Sequence, residues 1–312
     1  MPLLLLLLLL TAGVSAQIDT TRAPFVAYWS AGDTYHFEVS KIKSTYVNEE
    51  LTKSDTNTYR STFEVMDSTA HNYLIKYTFG QSIQTPGPLD PAIASALDSF
   101  ALDYILYTTD QNGAFEKLVN WEAFSAAMRQ AFAAAERSVI GKGEVDTTLF
   151  RTLLAPVVEA YSSEAGIYNK VVNELQHFHT FYGASYGRGD TLRYEDSFGN
   201  MFGGDPFPVE SELYVEELNW SDDFVVLRHF NRMTPEGAEV FRATLRQAYP
   251  DVAGEDGSAF DGMSLDIFDD NWYAFYYYPG IPYKIENDRW TTLTAADKVT
   301  VTHERLLVEW VD

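Results

Sequence analysis

Helical periodicity dominates one long block of the sequence, residues 120–183, which read NWEAFSAAMRQAFAAAERSVIGKGEVDTTLFRTLLAPVVEAYSSEAGIYNKVVNELQHFHTFYG. Within it, Phe124, Met128 and Phe132 are spaced four apart and share one apolar face. Two later segments repeat this spacing, with apolar stripes at Leu149, Leu153 and Val157, and at Ile167, Val171, Leu175, Phe178 and Tyr182. The block therefore predicts about three helices, which begin after Asn120 and end at Gly183.

Alternation of apolar and polar residues predicts β-strands on both sides of this block. In residues 34–43, Tyr35, Phe37 and Val39 alternate with polar neighbours. The same period recurs in residues 58–67 and 72–79 before the block, and in residues 209–218, 224–231, 272–278, 282–285 and 299–310 after it. The connections between the early strands are short and polar, which favours antiparallel hairpins over parallel β-α-β units.

These patterns predict an α+β fold. We expect mainly antiparallel, curved β-sheet at both ends of the chain, covered by a central layer of about three helices. The first and last strands are expected to share a sheet. Residues 17–312 are predicted to form a single α+β domain, and a split near Gly187 is the alternative.

Residues 1–16 have the pattern of a signal peptide. A leucine run is followed by small residues, with Val14 and Ala16 three and one residues before a cleavage site ahead of Gln17. No Lys or Arg precedes the run, and an uncleaved anchor is the alternative. We expect an exported protein, periplasmic or extracellular, with no stable membrane span after cleavage of the signal.

The chain is acidic and free of cysteine. Its formal net charge of −23 repels phosphate backbones and anionic headgroups, so nucleic acid is excluded as an expected partner. With a cysteine count of 0, the chain has no disulfide bond in a compartment where one would form. Packing must therefore supply its stability, for which the chain is long enough.

Four short motifs mark turns and element ends along the chain. They are Tyr107-Thr108-Thr109-Asp110 to Gly113-Ala114-Phe115, the Asn120-Trp121 helix start, Phe181-Tyr182-Gly183, and Pro279-Gly280-Ile281-Pro282. Together with the glycine-aromatic loop after Gly183, they resemble a family of exported bacterial proteins of unassigned function, typical of the Bacteroidetes. The resemblance covers most of the mature chain. It implies export, but no activity and no site residues.

Residues 183–187, GASYG, match the nucleophile elbow of hydrolases, with Ser185 as the nucleophile. His229 and His303 follow downstream, in the order that a Ser, Asp, His triad requires. The elbow needs a strand before the serine and a helix after it, whereas here a predicted helix ends at Gly183. A secreted serine hydrolase using Ser185 is therefore the alternative, and a non-enzymatic function is favoured.

Histidines and carboxylates occur at spacings that argue against a metal site. His177 and His179 project about 200° apart on a regular helix, so they do not bind one ion together. His179 falls beside Leu175 and is expected to pack in the apolar stripe. The acidic residues of segment 251–270 do not match the spacing of a calcium loop, so a solvated loop is favoured. We predict no metal and no cofactor.

An aromatic run near the C-terminus marks the candidate ligand site. It comprises Trp272, Tyr273, Phe275, Tyr276, Tyr277 and Tyr278, with Tyr283 after a turn at Pro279 and Gly280. In a strand, alternate rings point to opposite faces. One set can therefore pack under the helices while the other is left for a ligand. Sugar stacking and capture of an apolar ligand are the two expected chemistries.

The main hypothesis is an exported, soluble, non-enzymatic protein that binds an apolar or glycan ligand between helices and sheet. The predicted ligand-binding residues belong to the helical stripe and the aromatic strand: Ile167, Val171, Leu175, Phe178, Tyr182, Trp272, Phe275 and Tyr277. A structural component that binds another envelope protein is a further alternative.

Overall fold

A computed structural model describes residues 20–79, 104–142, 151, 155, 158–200, 204–253 and 258–311. Several predicted features lie outside these residues: the signal peptide, a short helix expected to begin at Asp90, and most of the second helix of the central block. The side chain of Val171, a predicted site residue, also lies outside the described part of the chain.

Thirteen strands form within the described residues, most of them where alternation predicts them. In chain order, they are β1 (Arg22–Pro24), β2 (Thr34–Val47), β3 (Glu50–Ser68), β4 (Asn72–Phe79), β5 (Tyr104–Asp110), β6 (Phe115–Leu118), β7 (Ser185–Gly187), β8 (Thr191–Phe198), β9 (Phe207–Asn219), β10 (Phe224–Met233), β11 (Met263–Tyr276), β12 (Ile281–Ala295) and β13 (Lys298–Val311). The α-helices whose two ends lie within the described residues are α1 (Trp121–Lys142), α2 (Glu164–Gly166), α3 (Glu174–His179), α4 (Pro235–Ala248) and α5 (Pro250–Ala253).

One antiparallel sheet of 11 strands contains almost all of these strands, in the order β6-β5-β4-β3-β2-β13-β12-β11-β10-β9-β8. Each half of the sheet is a meander in which chain neighbours pair. The halves join where β2 pairs with β13, with Val39 opposite Val308. This pairing confirms that the first and last predicted strands share a sheet. Strands β1 and β7 form a separate two-stranded ribbon.

The core lies on one face of the large sheet. On β11, Ile267 and Tyr273 are both buried and are an even number of residues apart, so they point to the same face. Tyr273 belongs to the main core, which also contains side chains of α1 and α3. Ile267 belongs to a second cluster, with Phe241 and Leu245 of α4. Helices therefore cover this face at two separate places.

The predicted α+β fold with a central layer of three helices is wrong. The chain is mostly antiparallel strand, with one large sheet and only small helices. Helix α1 forms where the first helix is predicted. The helix predicted at residues 163–182 is instead divided into α2, a π-helical turn at Ile167–Val171, and α3, with Val172 at φ −116 and ψ 45 between them.

Polar contacts with the sheet explain this division. Glu174, at the start of α3, is buried and accepts hydrogen bonds from Lys41 Nζ at 2.9 Å and from the hydroxyls of Tyr59 and Tyr77 at 2.9 and 3.1 Å. A buried carboxylate is tolerated only with such partners, so these strand residues determine where α3 lies. Short helical segments are thus sufficient to bury apolar residues that occur at helical spacing, without one continuous helix.

The N-terminal segment crosses the core as an extended strap, defined here as residues 22–30. Its Phe25, Ala27 and Trp29 are buried in the main core. The strap's backbone bonds distant parts of the chain: Ala27 N donates to Asn112 O at 2.8 Å, and Tyr28 N donates to Pro279 O at 3.0 Å. The strap therefore links the N-terminal and C-terminal halves of the sheet.

Replacing Gly280 by alanine is expected to destabilise the fold through a clash with the strap. Gly280 has φ +75, and a Cβ there would lie 2.0 Å from Val26 O. Gly32 is the matched control, because it has φ +95 but nothing within 4 Å of its Cβ position. In urea unfolding, Gly32→Ala should lower the free energy of unfolding by about 1–2 kcal/mol, and Gly280→Ala by at least about 2 kcal/mol more. Equal losses would contradict the close contact between Gly280 and the strap.

Candidate functional site

Five of the predicted ligand-binding residues lie together in the main core: Ile167, Leu175, Phe178, Tyr182 and Phe275. All are buried, and they contact one another or the sheet directly. The ring centroids of Phe178 and Tyr182 are 6.4 Å apart, and those of Tyr182 and Phe275 are 5.8 Å apart. The structure thus brings the helical stripe and the aromatic strand together, as side chains in contact.

The two other predicted residues lie elsewhere. Trp272 points to the face opposite Tyr273, and its Nε1 donates to Glu216 Oε2 at 3.1 Å. Tyr277 stacks on Trp220, with ring centroids 4.2 Å apart. Burial raises the pKa of the Tyr277 hydroxyl, and the nearby Asp223 carboxylate raises it further. Trp272 lies away from the main core, whereas Tyr277 packs against it as a partly buried residue.

An open groove of about 700 Å³ lies beside this aromatic run. It is formed by the β9–β10 turn and by the ends of β11, β12 and β13. The residues that line it, called here the aromatic groove, are Asp222, Asp223, Tyr276, Tyr278, Tyr283, Trp310 and Val311. Four of the seven are aromatic, and the two that carry charge are both carboxylates.

The rings of the aromatic groove differ in their exposure. Tyr276 is half-buried and contacts Tyr283 and Trp310, with ring centroids 5.4 and 5.7 Å away. Tyr278 is 73% exposed and Tyr283 is 38% exposed. Tyr28 of the strap is 51% exposed, and its ring lies 6.2 Å from that of Tyr278. Three exposed tyrosines therefore gather at one place on the surface.

A local irregularity in β11 separates the buried rings from the exposed ones. The register between β11 and β12 shifts between Ala274 and Phe275, which is a β-bulge or similar defect. Before and at the shift, Tyr273 and Phe275 are buried, whereas Tyr276 and Tyr278 beyond it line the groove. Bulges commonly redirect side chains near binding sites. The aromatic run thus contains both packed and exposed rings, but none of its residues predicted to bind the ligand, Trp272, Phe275 and Tyr277, lines the groove.

Hydrogen-bonding groups in the aromatic groove are mainly acceptors. Asp222 is held by Asn219, whose Nδ2 donates to Asp222 Oδ2 at 3.0 Å. An ionised carboxylate only accepts hydrogen bonds, whereas a tyrosine hydroxyl both donates and accepts. No lysine, arginine or histidine belongs to the described lining. The groove is therefore suited to a ligand that has hydroxyl or ammonium donors and an apolar face.

A second, more apolar cleft of about 560 Å³ lies beside α1. Apolar atoms of Phe132, Ala133 and Val158 contribute to its wall, and Arg129 and Glu136 supply charges. The remaining residues of this α1 cleft are Arg151, Ala155, Glu159 and Ser162. Much of the chain between α1 and Val158 lies outside the described residues.

The described residues do not bring a histidine to Ser185. Ser185 lies in β7, after a helix and a turn, and its Oγ accepts a hydrogen bond from Arg22 Nε at 3.3 Å. His229 Nε2 instead bonds Tyr194 Oη at 2.8 Å, and His303 Nε2 bonds Asp288 Oδ1 at 2.6 Å. The arrangement around Ser185 therefore shows no base in contact with the hydroxyl.

His177 and His179 have separate partners. His179 is buried, which confirms that it packs in the apolar stripe, and its Nδ1 lies 2.7 Å from Gly113 O. Because a carbonyl only accepts, Nδ1 carries the proton and Nε2 accepts from Tyr107 Oη at 2.9 Å. His177 Nδ1 bonds Tyr273 Oη at 3.0 Å. Burial lowers the pKa of both histidines to about 4.

The acidic residues near the start of β11 pair with arginines. Asp269 is buried and accepts two hydrogen bonds at 2.7 Å from Arg289. Asp261 and Asp270 form single ion pairs with Arg246 and Arg228, at 2.6 and 2.5 Å, and Asp266 lies 4.0 Å from Arg232. Within the residues that the structure describes, no group of three His, Asp or Glu side chains is placed to hold a metal ion. The arginine contacts account for the four carboxylates Asp261, Asp266, Asp269 and Asp270.

Comparisons with known proteins do not assign the chain to a family. No family model matches it, and no curated protein matches it. A solved structure described as lipid–protein interactions in lipovitellin is 8% identical, with a TM-score of 0.44; the match covers 91% of this chain and 25% of that one. This chain thus spans about a quarter of the lipovitellin chain. Ail, the attachment invasion locus protein of Yersinia pestis, is 6% identical, with a TM-score of 0.15 over 90% of this chain and 98% of that one. Similarity this low supports no statement about function.

The described part of the chain contains no helix that is both long and apolar enough to cross a bilayer.

Sequence reasoning identified three groove residues, Tyr276, Tyr278 and Tyr283, as members of the aromatic run. None of these three was among the predicted ligand-binding residues. Asp222, Asp223, Trp310 and Val311, which precede or follow that run by many residues, were missed altogether. The exposed turn that contains the two aspartates, directly after Trp220, is the signal that was available for them.

Acidification is expected to destabilise the fold through His179. Its pKa is about 4 in the folded chain and 6.5 when unperturbed. Between these values the unfolded state binds more protons, so stability is fully present above the unfolded pKa and falls as the pH falls. A shift of this size corresponds to about 3 kcal/mol. Urea unfolding across this range should show the fall.

The variant His179→Phe tests the assignment, because phenylalanine packs like the imidazole but does not titrate. Its free energy of unfolding is expected to depend less on pH between about 6.5 and 4 than that of the wild type. Other titrating groups contribute to both proteins, so the difference between the two curves is the quantity to measure. An identical pH dependence would show that His179 is not responsible.

Proposed function

We propose that this is an exported, non-enzymatic protein that binds a saccharide in the aromatic groove. The observation that carries the proposal is the exposed tyrosine cluster of Tyr278, Tyr283 and Tyr28 beside the half-buried Trp310. Large rings are normally covered by the protein itself, and a contiguous exposed group of them marks a binding surface. Here Tyr278 and Tyr283 line an open groove, and the Tyr28 ring lies 6.2 Å from that of Tyr278.

The chemistry of the groove supports a sugar as the ligand. A pyranose has an apolar face of C–H groups, which packs on an aromatic ring, and hydroxyl groups at its edge, which need acceptors. The carboxylates of Asp222 and Asp223 supply such acceptors beside the rings. A volume of about 700 Å³ is within the range of small-molecule sites and accommodates a short oligosaccharide.

The charges of the groove favour neutral or amino sugars over acidic ones. Its described lining has two carboxylates and no cationic side chain, and the whole chain carries a formal net charge of −23. A uronic or sialic acid would therefore meet like charge both at the site and on approach. An ammonium group would meet opposite charge and aromatic faces, which attract cations.

Export and the absence of catalysis are supported by other features. The leucine-rich segment of residues 1–16, followed by small residues, is typical of a cleaved signal peptide. Ser185 accepts a hydrogen bond from Arg22, and among the described residues its hydroxyl has no histidine partner of the kind that a serine nucleophile requires. Cleavage at Gln17 can be checked by N-terminal sequencing of the mature protein.

A second candidate function is the binding of an apolar ligand in the α1 cleft. Its favouring observation is the wall formed by Phe132, Ala133 and Val158, with Arg129 and the Arg151–Glu136 ion pair beside it. An acyl chain fits such a wall, and a carboxylate headgroup would bond Arg129. This places the apolar ligand beside α1 and not in the filled core beneath α3.

Removing rings of the aromatic groove is expected to weaken saccharide binding. Isothermal titration with a panel of neutral, amino and acidic oligosaccharides should identify neutral or amino sugars as ligands of the wild type. Tyr278→Ala and Tyr283→Ala should each raise the dissociation constant by about ten-fold, because a stacking surface is lost. Tyr249→Ala is the matched control, since Tyr249 is 53% exposed but does not line the groove.

Two results would overturn this proposal. One is that no member of the panel binds the folded wild-type protein. The other is that Tyr249→Ala reduces binding as much as the two groove variants do. Preference for acidic sugars would remove the argument from charge while leaving the aromatic groove as the site.

Filling the α1 cleft is expected to block an apolar ligand. Ala133→Trp should abolish the binding of a fluorescent fatty acid, because the indole occupies the space between α1 and Val158. Ala123→Trp is the control, since Ala123 is an exposed residue of the same helix that does not line the cleft. If wild type and both variants bind the probe equally, the cleft is not its site.

A further inference from the structure

Strand β8 is an open edge of the large sheet. Its one partner among the described residues is β9, with Leu192 opposite Leu213 and Tyr194 opposite Ser211. Residues 191–197 are exposed along their whole length, including the large side chains of Leu192 and Tyr194. An edge strand of this length presents backbone N–H and C=O groups that can pair with another strand.

The opposite edge of the sheet is built differently. Strand β6 has four residues, against eight in β8. Its Leu118 N donates to the Glu164 carboxylate at 2.7 Å, so a side chain from α2 caps the edge. On β8, one such local cap exists, at Ser197, whose N–H donates to Asp196 Oδ1 at 2.8 Å. Edges are normally shortened or covered, and β8 is long and uncovered by comparison.

The sequence of β8 is complementary to itself when two copies pair antiparallel. With Tyr194 on the two-fold axis, Arg193 of each copy lies opposite Glu195 of the other. Opposite-charge pairs directly across two strands stabilise a sheet, and like-charge pairs destabilise it. Centring the axis on Arg193 or Glu195 instead gives no such pair. One register is therefore favoured by charge.

Among the residues that the structure describes, no cation pairs with Glu195. In the sheet, it lies opposite Glu210 of β9, which is a like-charge pair. Arg193 bonds Glu212 through Nε and Nη2 at 2.7 Å, and a guanidinium has five N–H donors, which leaves others for a second carboxylate. A second copy thus places a cation beside Glu195.

We infer that two copies of this chain pair through their β8 strands, antiparallel and with Tyr194 at the two-fold axis, to form one continuous sheet across the dimer. The pairing leaves the aromatic groove open, because the groove is lined by the β9–β10 turn and by β11, β12 and β13. Two saccharide sites are then carried by one assembly, which raises the avidity for a polymeric glycan. The dimer itself does not depend on the proposed ligand.

A single introduced cysteine tests the register directly, because the natural chain has none. In Tyr194→Cys, the two cysteines face each other across the axis, with Cα atoms about 4.5–5.5 Å apart, which permits a disulfide. Leu192→Cys is the matched control on the same face of the same strand. Its two copies would lie about 14 Å apart, too far for a disulfide.

Mild oxidation should convert Tyr194→Cys into a covalent dimer on a non-reducing gel, while Leu192→Cys stays monomeric there. Wild-type protein should have the mass of a dimer in light scattering. Equal cross-linking of both variants would show random collision, and a monomeric wild type with no cross-linking of Tyr194→Cys would overturn the proposal.

Charge reversal provides a second, independent readout. Arg193→Glu and Glu195→Arg should each raise the dissociation constant of the dimer by about ten-fold, because each places like charges across the axis. The double variant restores opposite charges and should recover the dimer. If the double variant is as weak as the singles, Arg193 and Glu195 do not face each other and the register is refuted.

Discussion

The rest of this structure depends on the hydrogen bonds that the carbonyl oxygen of Gly280 accepts. This oxygen accepts hydrogen bonds from Trp29 Nε1 at 3.2 Å and from Tyr182 Oη at 2.7 Å, and both donors are buried. One backbone atom thus joins the N-terminal strap, the segment after α3 and the turn between β11 and β12. Buried polar groups are costly unless they are bonded, so the three segments hold one another in place. Close packing reinforces the joint, since a Cβ on Gly113 would lie 2.7 Å from Tyr182 and 2.9 Å from Ala27.

The candidate site follows from this joint. The turn that carries Gly280 also carries Tyr278, and the strap bonds its backbone through Tyr28 N and Pro279 O. Rings that pack inward, such as Tyr273 and Phe275, anchor β11 to the core, while Tyr276 and Tyr278 line the groove. A rigid support presents these exposed rings without the loss of entropy that a mobile loop would suffer on binding. The same strand therefore serves both the core and the groove.

Most of the strands were predictable from the sequence, because a strand with one buried face and one exposed face shows alternating apolar and polar residues. The helical layer was not, because apolar residues at a spacing of three or four also suit short segments lying in the hollow of a sheet. Buried Glu174 shows the difficulty: its sequence position resembles an exposed helix start, and its partners Lys41, Tyr59 and Tyr77 are far away in sequence. The strap was not predicted. Its buried residues Phe25, Ala27 and Trp29 alternate with more exposed ones as in a strand, but the segment does not belong to the large sheet, and the sequence does not show that it crosses the core. Three of the groove's four rings belong to the aromatic run, whereas its carboxylates come from a turn that is distant in sequence.

The most direct test of the account is a nuclear magnetic resonance titration of the wild-type protein, labelled on its tyrosine and tryptophan rings, with neutral and amino oligosaccharides. The central claim is that the exposed rings supported by the strap form the ligand site. It predicts shifts at Tyr278, Tyr283 and Trp310, with Tyr249 and the buried Tyr107 unchanged. Shifts that are absent at the groove with every sugar, or that appear elsewhere on the surface instead, would contradict it.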